Sequence, residues 1–186
     1  MSQTMSIAEA QSDMREAYGR GAAGAITSAT IWLIAALVAF FAEPTTGVLT
    51  LLLGGTLIFP LSILLCKAMG QSGKHRADNP LAPLAIQGTA WMIFCMPIAA
   101  GTALHTLEWF FPSMLLIIGG RYLTFSTLYG MKIFLAMGAT LALSAYPLIA
   151  LEAPAFVGAL AGASIEYVFG FAILASGRDM SGTELR

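Results

Sequence analysis

Charge is what this sequence has least of. Only 10% of its 186 residues are charged, against about 25% in an ordinary soluble domain. That scarcity excludes a water-soluble globule and a disordered tail. Neither sign dominates: nine Lys and Arg against ten Asp and Glu leave a net charge of −1, so no basic field exists for phosphates and a nucleic-acid partner is excluded. Cysteine is equally sparse. Cys66 and Cys95 make neither a disulfide framework nor a ligand set, so no metal or other cofactor is expected. What fills the chain instead is apolar side chain, 58% of all residues, which leaves a multi-pass membrane protein.

A helix needs about 20 apolar residues to cross a hydrocarbon core of roughly 30 Å. The scattered charges bracket six such runs, predicted at residues 22–42, 45–67, 81–104, 109–129, 132–151 and 154–175. The fourth is interrupted by Arg121 and the sixth by Glu166. Proline marks the connectors at Glu43-Pro44, Asn79-Pro80 and Glu152-Ala153-Pro154, where a helix loses nothing by starting on a residue without an N–H. Gly130 is placed to end the fourth span, whereas Pro60 and Pro97 fall inside spans and should kink them.

Lys and Arg lie on one side only. Arg15, Arg20, Lys67, Lys74, Arg76, Lys132, Arg178 and Arg186 share it, while the opposite turns, near Glu43, His105 to Glu108 and Glu152, hold none. The positive-inside rule then makes both termini cytoplasmic. The expected fold is all-α: an integral membrane bundle of six transmembrane helices over 22–175, with an N-terminal amphipathic helix within 1–21 and a C-terminal tail from 176 to 186. Ser6 and Glu9 fit a capping box, and Ile7, Ala10, Met14 and Tyr18 recur at helical spacing. Such a helix would lie on the cytoplasmic leaflet.

A shift of 65 residues superposes Glu43 on Glu108, Gly54-Gly55 on Gly119-Gly120 and Lys67 on Lys132. Parallel repeats of one hairpin would produce this register, as some transporters show. Glycine pairs and inner lysines are also common enough in membrane proteins to coincide.

The two intramembrane charges carry the sharpest expectation. Arg121 lies twelve residues after Trp109, and Glu166 twelve after Pro154, so both reach roughly 18 Å into the membrane at 1.5 Å per residue. A lone charge at that depth costs about 2.5–3.5 kcal/mol even on a lenient scale, and equal depth with opposite sign predicts an Arg121–Glu166 ion pair. Gly158, Gly162, Glu166 and Gly170 recur every fourth residue, a small-residue stripe that seats another helix closely. Tyr122, Thr124, Ser126 and Thr127 add a polar run beside Arg121, a possible polar pathway. The pair reads either as a transport site or as a strut fixing helix register.

Other constellations are weaker. Lys74, His75, Arg76 and Asp78 sit in the connector after the second span. They have the chemistry for a phosphate or lipid headgroup, or for a base and its orienter, but also suit a plain solvated loop, and no nucleophile accompanies them. Gly19-Arg20-Gly21-Ala22-Ala23-Gly24 matches the dinucleotide fingerprint without its strand. The Gly70–Lys74 stretch lacks Walker spacing. Glu43, Glu108, Glu152 and His105 gather on the outer side, where acidic helix starts favour the dipole.

Ser72-Gly73-Lys74-His75 followed by Asn79-Pro80-Leu81 forms one motif. Trp109-Phe110-Phe111-Pro112 leading to Gly119-Gly120-Arg121-Tyr122-Leu123-Thr124-Phe125 forms another. Together they make the chain, from about Ala10 to Gly177, resemble a family of small bacterial multi-pass membrane proteins classed as a domain of unknown function. The resemblance implies the bacterial cytoplasmic membrane and supplies no catalytic or binding residues. The leading expectation is a small transporter or channel-like protein for an ion or small solute, surrounded by the lipid bilayer and able to form a homo-oligomer. Its rivals are a membrane-embedded enzyme or headgroup binder using the 70–80 connector, and a structural subunit.

Overall fold

The computed structural model describes residues 5–183. Seven helices follow in chain order: α1 (Ile7–Ala17), α2 (Ala22–Phe41), α3 (Pro44–Ala68), α4 (Ala82–His105), α5 (Phe110–Tyr129), α6 (Ile133–Ala150) and α7 (Ala155–Thr183). Short 3₁₀ turns over Gly19–Gly21 and Leu107–Trp109 join α1 to α2 and α4 to α5. The described residues contain no strand. Helix α7 passes the expected end of the last span and continues to Thr183, so most of the anticipated tail is helical; residues 184–186 lie outside the described residues.

Local chemistry sets the boundaries. Pro44 opens α3 behind an extended Glu43, and Gly130 closes α5 in the left-handed region, φ 65°, which glycine enters without a Cβ penalty. Helices α3 and α4 run through Pro60 and Pro97 without interruption, as α6 does through Pro147.

Five helical stretches are long and apolar enough to cross a membrane: Gly19–Phe41, Pro44–Ala68, Ala82–His105, Ile133–Ala150 and Ala155–Ser176. The chain thus has the make-up of a multi-pass membrane protein. Helix α5, the fourth of the six expected spans, has the length of α2, 20 residues each. Arg121 and the hydroxyl-bearing residues after it dilute its apolarity.

Helix α2 packs along α3 and α7, α5 packs along α4 and α6, and α6 meets α7 to join the two groups. Two glycine contacts fix the closest approaches. A Cβ on Gly119 of α5 would sit 2.7 Å from the Gly138 carbonyl of α6, and one on Gly138 would sit 2.6 Å from the Gly119 carbonyl. On α7, Gly162 lies under the Trp32 ring of α2, Gly158 against Phe111 and Gly170 against Ile26. Helices α3 and α4 form the flanks, turning Leu53, Phe59, Phe94 and Ile98 outward. The glycines matched by the 65-residue shift pack differently, Gly54 on Ile31 of α2 and Gly119 on α6.

Helix α1 starts on the anticipated capping box, Glu9 N–H donating to Ser6 Oγ (3.3 Å) and Ser6 N–H to Glu9 Oε2 (2.8 Å). Its buried residues are Ala10, Met14 and Ala17, and they face protein rather than a leaflet. Gln11 donates to the Thr127 carbonyl (2.9 Å) and Arg15 to the Tyr129 carbonyl (2.7 Å) at the end of α5. Asn79, 4% exposed, donates to the Ala10 carbonyl (3.0 Å) and to Asp13 (2.6 Å). The turn into α2 holds Gly19, Arg20 and Gly21 at φ 55°, 59° and 83°, a left-handed run in which Arg20 carries the Cβ strain.

Candidate functional site

The stripe of small residues on α7 brings α2 and α5 close enough to enclose Glu166 completely; it is 0% exposed. The hydroxyls beside it belong to Ser28 of α2 and Tyr122 of α5, both themselves buried. Neither closes a hydrogen bond of acceptable geometry, and both carboxylate oxygens are without a partner. Trp32, one turn along α2 from Ser28, is also fully buried and its indole N–H is unpartnered. Buried polar groups are normally bonded, because an unmet one keeps its full desolvation penalty of about 1–3 kcal/mol, more when charged. Leaving three such atoms in one helix interface is the departure that marks this region as a site. Neither Ser28 nor Trp32 stands out in the sequence, since a serine or tryptophan in an apolar run signals nothing by itself.

Arg121 does not reach Glu166, and the expected ion pair is not formed. Its guanidinium turns toward α4, with Nη2 donating to Thr89 Oγ1 (3.3 Å) and Nη1 pointing at the Met92 sulfur (3.8 Å). Its carbon end rests 5.2 Å from the centre of the Phe125 ring, and Nε is buried without a partner. The reason is rotational. Successive residues on a helix point about 100° apart, so with Tyr122 aimed at Glu166, its neighbour Arg121 faces another side of α5. Among the described residues the ion pair within 4 Å is Arg76–Asp78, at 2.9 Å.

The remaining polar residues of α5 do not line up as a pathway. Thr124 donates to the Arg121 carbonyl and Ser126 to the Leu123 carbonyl, each at 2.7 Å. These are local back-bonds to their own helix. Thr127 is exposed, and its carbonyl serves Gln11.

At the end bearing the basic residues, the 70–80 connector is folded onto α1. His75 Nδ1 and Tyr18 Oη share a 2.7 Å hydrogen bond, while Asp78 takes a two-pronged contact from Arg76, 3.1 and 2.9 Å. The anticipated His75–Asp78 dyad is therefore absent, each member having a different partner. The Arg76 guanidinium holds the Asp78 carboxyl below its ordinary range, and burial pushes the Tyr18 hydroxyl up. Lys74 N–H donates to Ser72 Oγ (3.2 Å), and Arg76 N–H to Asp13 (3.0 Å). Asp13, Tyr18 and Asn79 organise this loop; Asn79-Pro80 reads as a mere turn signal in the sequence.

At the opposite end, Glu43, His105, Glu108 and Glu152 occupy the turns. Among the described residues no three His, Cys, Asp or Glu side chains converge on a metal-sized site. Cys66 and Cys95 are buried free thiols.

The motifs flanking the Asn79 turn and running through Arg121 fall within one family model, described as "Family of unknown function (DUF7010)", which matches residues 7–176. The chain belongs to this family. Its match takes in the whole site, from α1 and the 70–80 connector to Arg121 and Glu166. No curated protein and no solved structure matches the chain.

Proposed function

We propose that the chain is a small transporter of the bacterial inner membrane for an ion or small solute. In this reading α5 also crosses, as the fourth of six spans, polar because it is central, and both termini are cytoplasmic, since the basic residues collect at that end. One observation carries the reading: Glu166 is fully enclosed with both carboxylate oxygens unpartnered. An intramembrane acid of this kind is the group that pumps and transporters use to take up and release a proton or cation. Ser28 and Tyr122 supply hydroxyls on its other sides. Hydrocarbon covers the outward faces of α3 and α4, alone or in a homo-oligomer. The separation of His75 from Asp78 weighs against an enzyme in the 70–80 connector, whose Lys74 and Arg76 remain suited to meeting lipid headgroups.

The test is proton flux. Wild-type protein reconstituted into proteoliposomes loaded with a pH-sensitive dye should dissipate an imposed pH gradient faster than protein-free vesicles. Glu166→Gln should return the rate to that of empty vesicles while eluting as the same monodisperse species in detergent. Wild-type flux equal to empty vesicles, or an undiminished Glu166→Gln rate, overturns the proposal.

A further inference from the structure

A guanidinium keeps its charge at any accessible pH and presents five N–H donors in a rigid plane. In Arg121 those donors are largely unspent. One meets Thr89 at a long 3.3 Å and one a weakly accepting sulfur at 3.8 Å, while Nε–H is buried with nothing to bond. The Thr89 hydroxyl already donates its proton to the Ala85 carbonyl (3.0 Å), so toward Arg121 it is only an acceptor. No carboxylate of the described residues lies within 4 Å. A fixed positive charge thus stands between α4 and α5 with no carboxylate in contact with it.

We propose that Arg121 is the primary contact of a binding site for a small monovalent carboxylate, and that this anion is a solute the protein carries. The inference rests on the transporter reading above. Three features choose the ligand class. The two weakly engaged Nη groups match the two oxygens of a carboxylate, which guanidinium groups bind through parallel hydrogen bonds. The charge is single, so a dianion such as sulfate would leave a net negative charge in a low-dielectric site. The flanks are Met92 and the Phe125 ring, which suit an apolar tail rather than a sugar or a second polar head. One carboxylate on Arg121 and one proton on Glu166 leave both centres neutral, the condition under which a charge pair crosses a membrane most cheaply.

Binding is read by thermal unfolding of detergent-purified protein at constant ionic strength, titrated with sodium acetate, sodium propionate or sodium benzoate, with sodium sulfate as the contrast. At least one of the three carboxylates should raise Tm saturably while sulfate does not. Arg121→Gln should weaken the half-saturating concentration by about 30-fold or more, as losing one partner of a buried charge pair does. Arg121→Lys, which keeps the charge but not the fork, should fall between the two and decides the matter if the glutamine variant fails to fold. The absence of a saturable shift with all three carboxylates overturns the inference, as does an Arg121→Gln titration like wild type. Proton flux that depends on Glu166 without carboxylate binding sinks this inference and spares the transporter reading; binding without flux sinks the transporter reading and the carriage of the anion with it, leaving Arg121 as a binding site alone.

Discussion

Replacing Glu166 with leucine removes a carboxylate whose two oxygens are enclosed and unbonded and substitutes an apolar side chain of similar volume. An unmet buried acceptor costs about 1–3 kcal/mol, and exchanging buried charge for well-packed apolar groups is commonly stabilising. Glu166→Leu is therefore expected to raise stability by about 1–3 kcal/mol, or roughly 2–12 °C in Tm for a chain of this size. Because Arg121 bonds toward Thr89 rather than Glu166, Arg121→Leu and Glu166→Leu should combine with a coupling below about 1 kcal/mol. Fluorescence-detected thermal unfolding of wild type, both single variants and the double variant in one detergent supplies the cycle. An ion pair would give the opposite sign, with each single change costing about 3–5 kcal/mol and the double recovering much of it. That pattern would refute the site as described. A stabilising Glu166→Leu that also abolishes proton flux would show stability given up for activity, as happens at functional sites.

Gly138→Ala forces a methyl against the Gly119 carbonyl and should cost about 1–3 kcal/mol by prising α5 from α6. Gly55→Ala, with nothing within 4 Å of its new Cβ, should gain about 0.5–1 kcal/mol; equal Tm responses would contradict the packing. Asn79→Ala strips the Ala10 carbonyl, Asp13 and the Leu81 N–H of their shared partner. It should cost about 2–3 kcal/mol at roughly 1 kcal/mol per bond, with faster hydrogen exchange confined to α1 and the 76–81 segment. Acid should loosen the start of α1: the hydrogen bonds from Ser6 hold the Glu9 carboxyl below its ordinary value. Their contribution is complete above the unfolded-chain value and disappears as pH falls through the lowered one. Exchange protection of the Ser6, Glu9 and Ala10 amides should fall with pH in wild type and stay independent of pH in Glu9→Gln, whose amide oxygen still accepts from Ser6.

Much of the architecture is legible in the sequence because membrane helices are delimited by single residues. Pro44, Gly130 and the Ser6–Glu9 box each name a boundary through one local interaction. Position along a helix is legible too, since it is a count of residues at fixed rise. What a count does not supply is azimuth. Arg121 and Glu166 each lie twelve residues into their predicted spans, yet Tyr122, one residue along, owns the face toward Glu166. The same limit separates His75 from Asp78: neighbours in sequence, they take partners from α1 and from within the loop. Ser28, Trp32 and Thr89 matter only through what α7 and α5 bring against them, a property of helix packing that no short motif records.

The docking of α1 has a consequence for biosynthesis. This helix is made well before α5, yet Arg15 bonds to Tyr129, 114 residues later. At about 5–20 residues per second, roughly 6–23 s separate synthesis of the two ends of that bond. During that interval the 70–80 connector can already bond to α1 through Ala10, Asp13 and Ala17, while the end of α5 that receives Gln11 and Arg15 is still missing. The docking of α1 is thus completed only when α5 is in place, and its completion reports that α5 is seated.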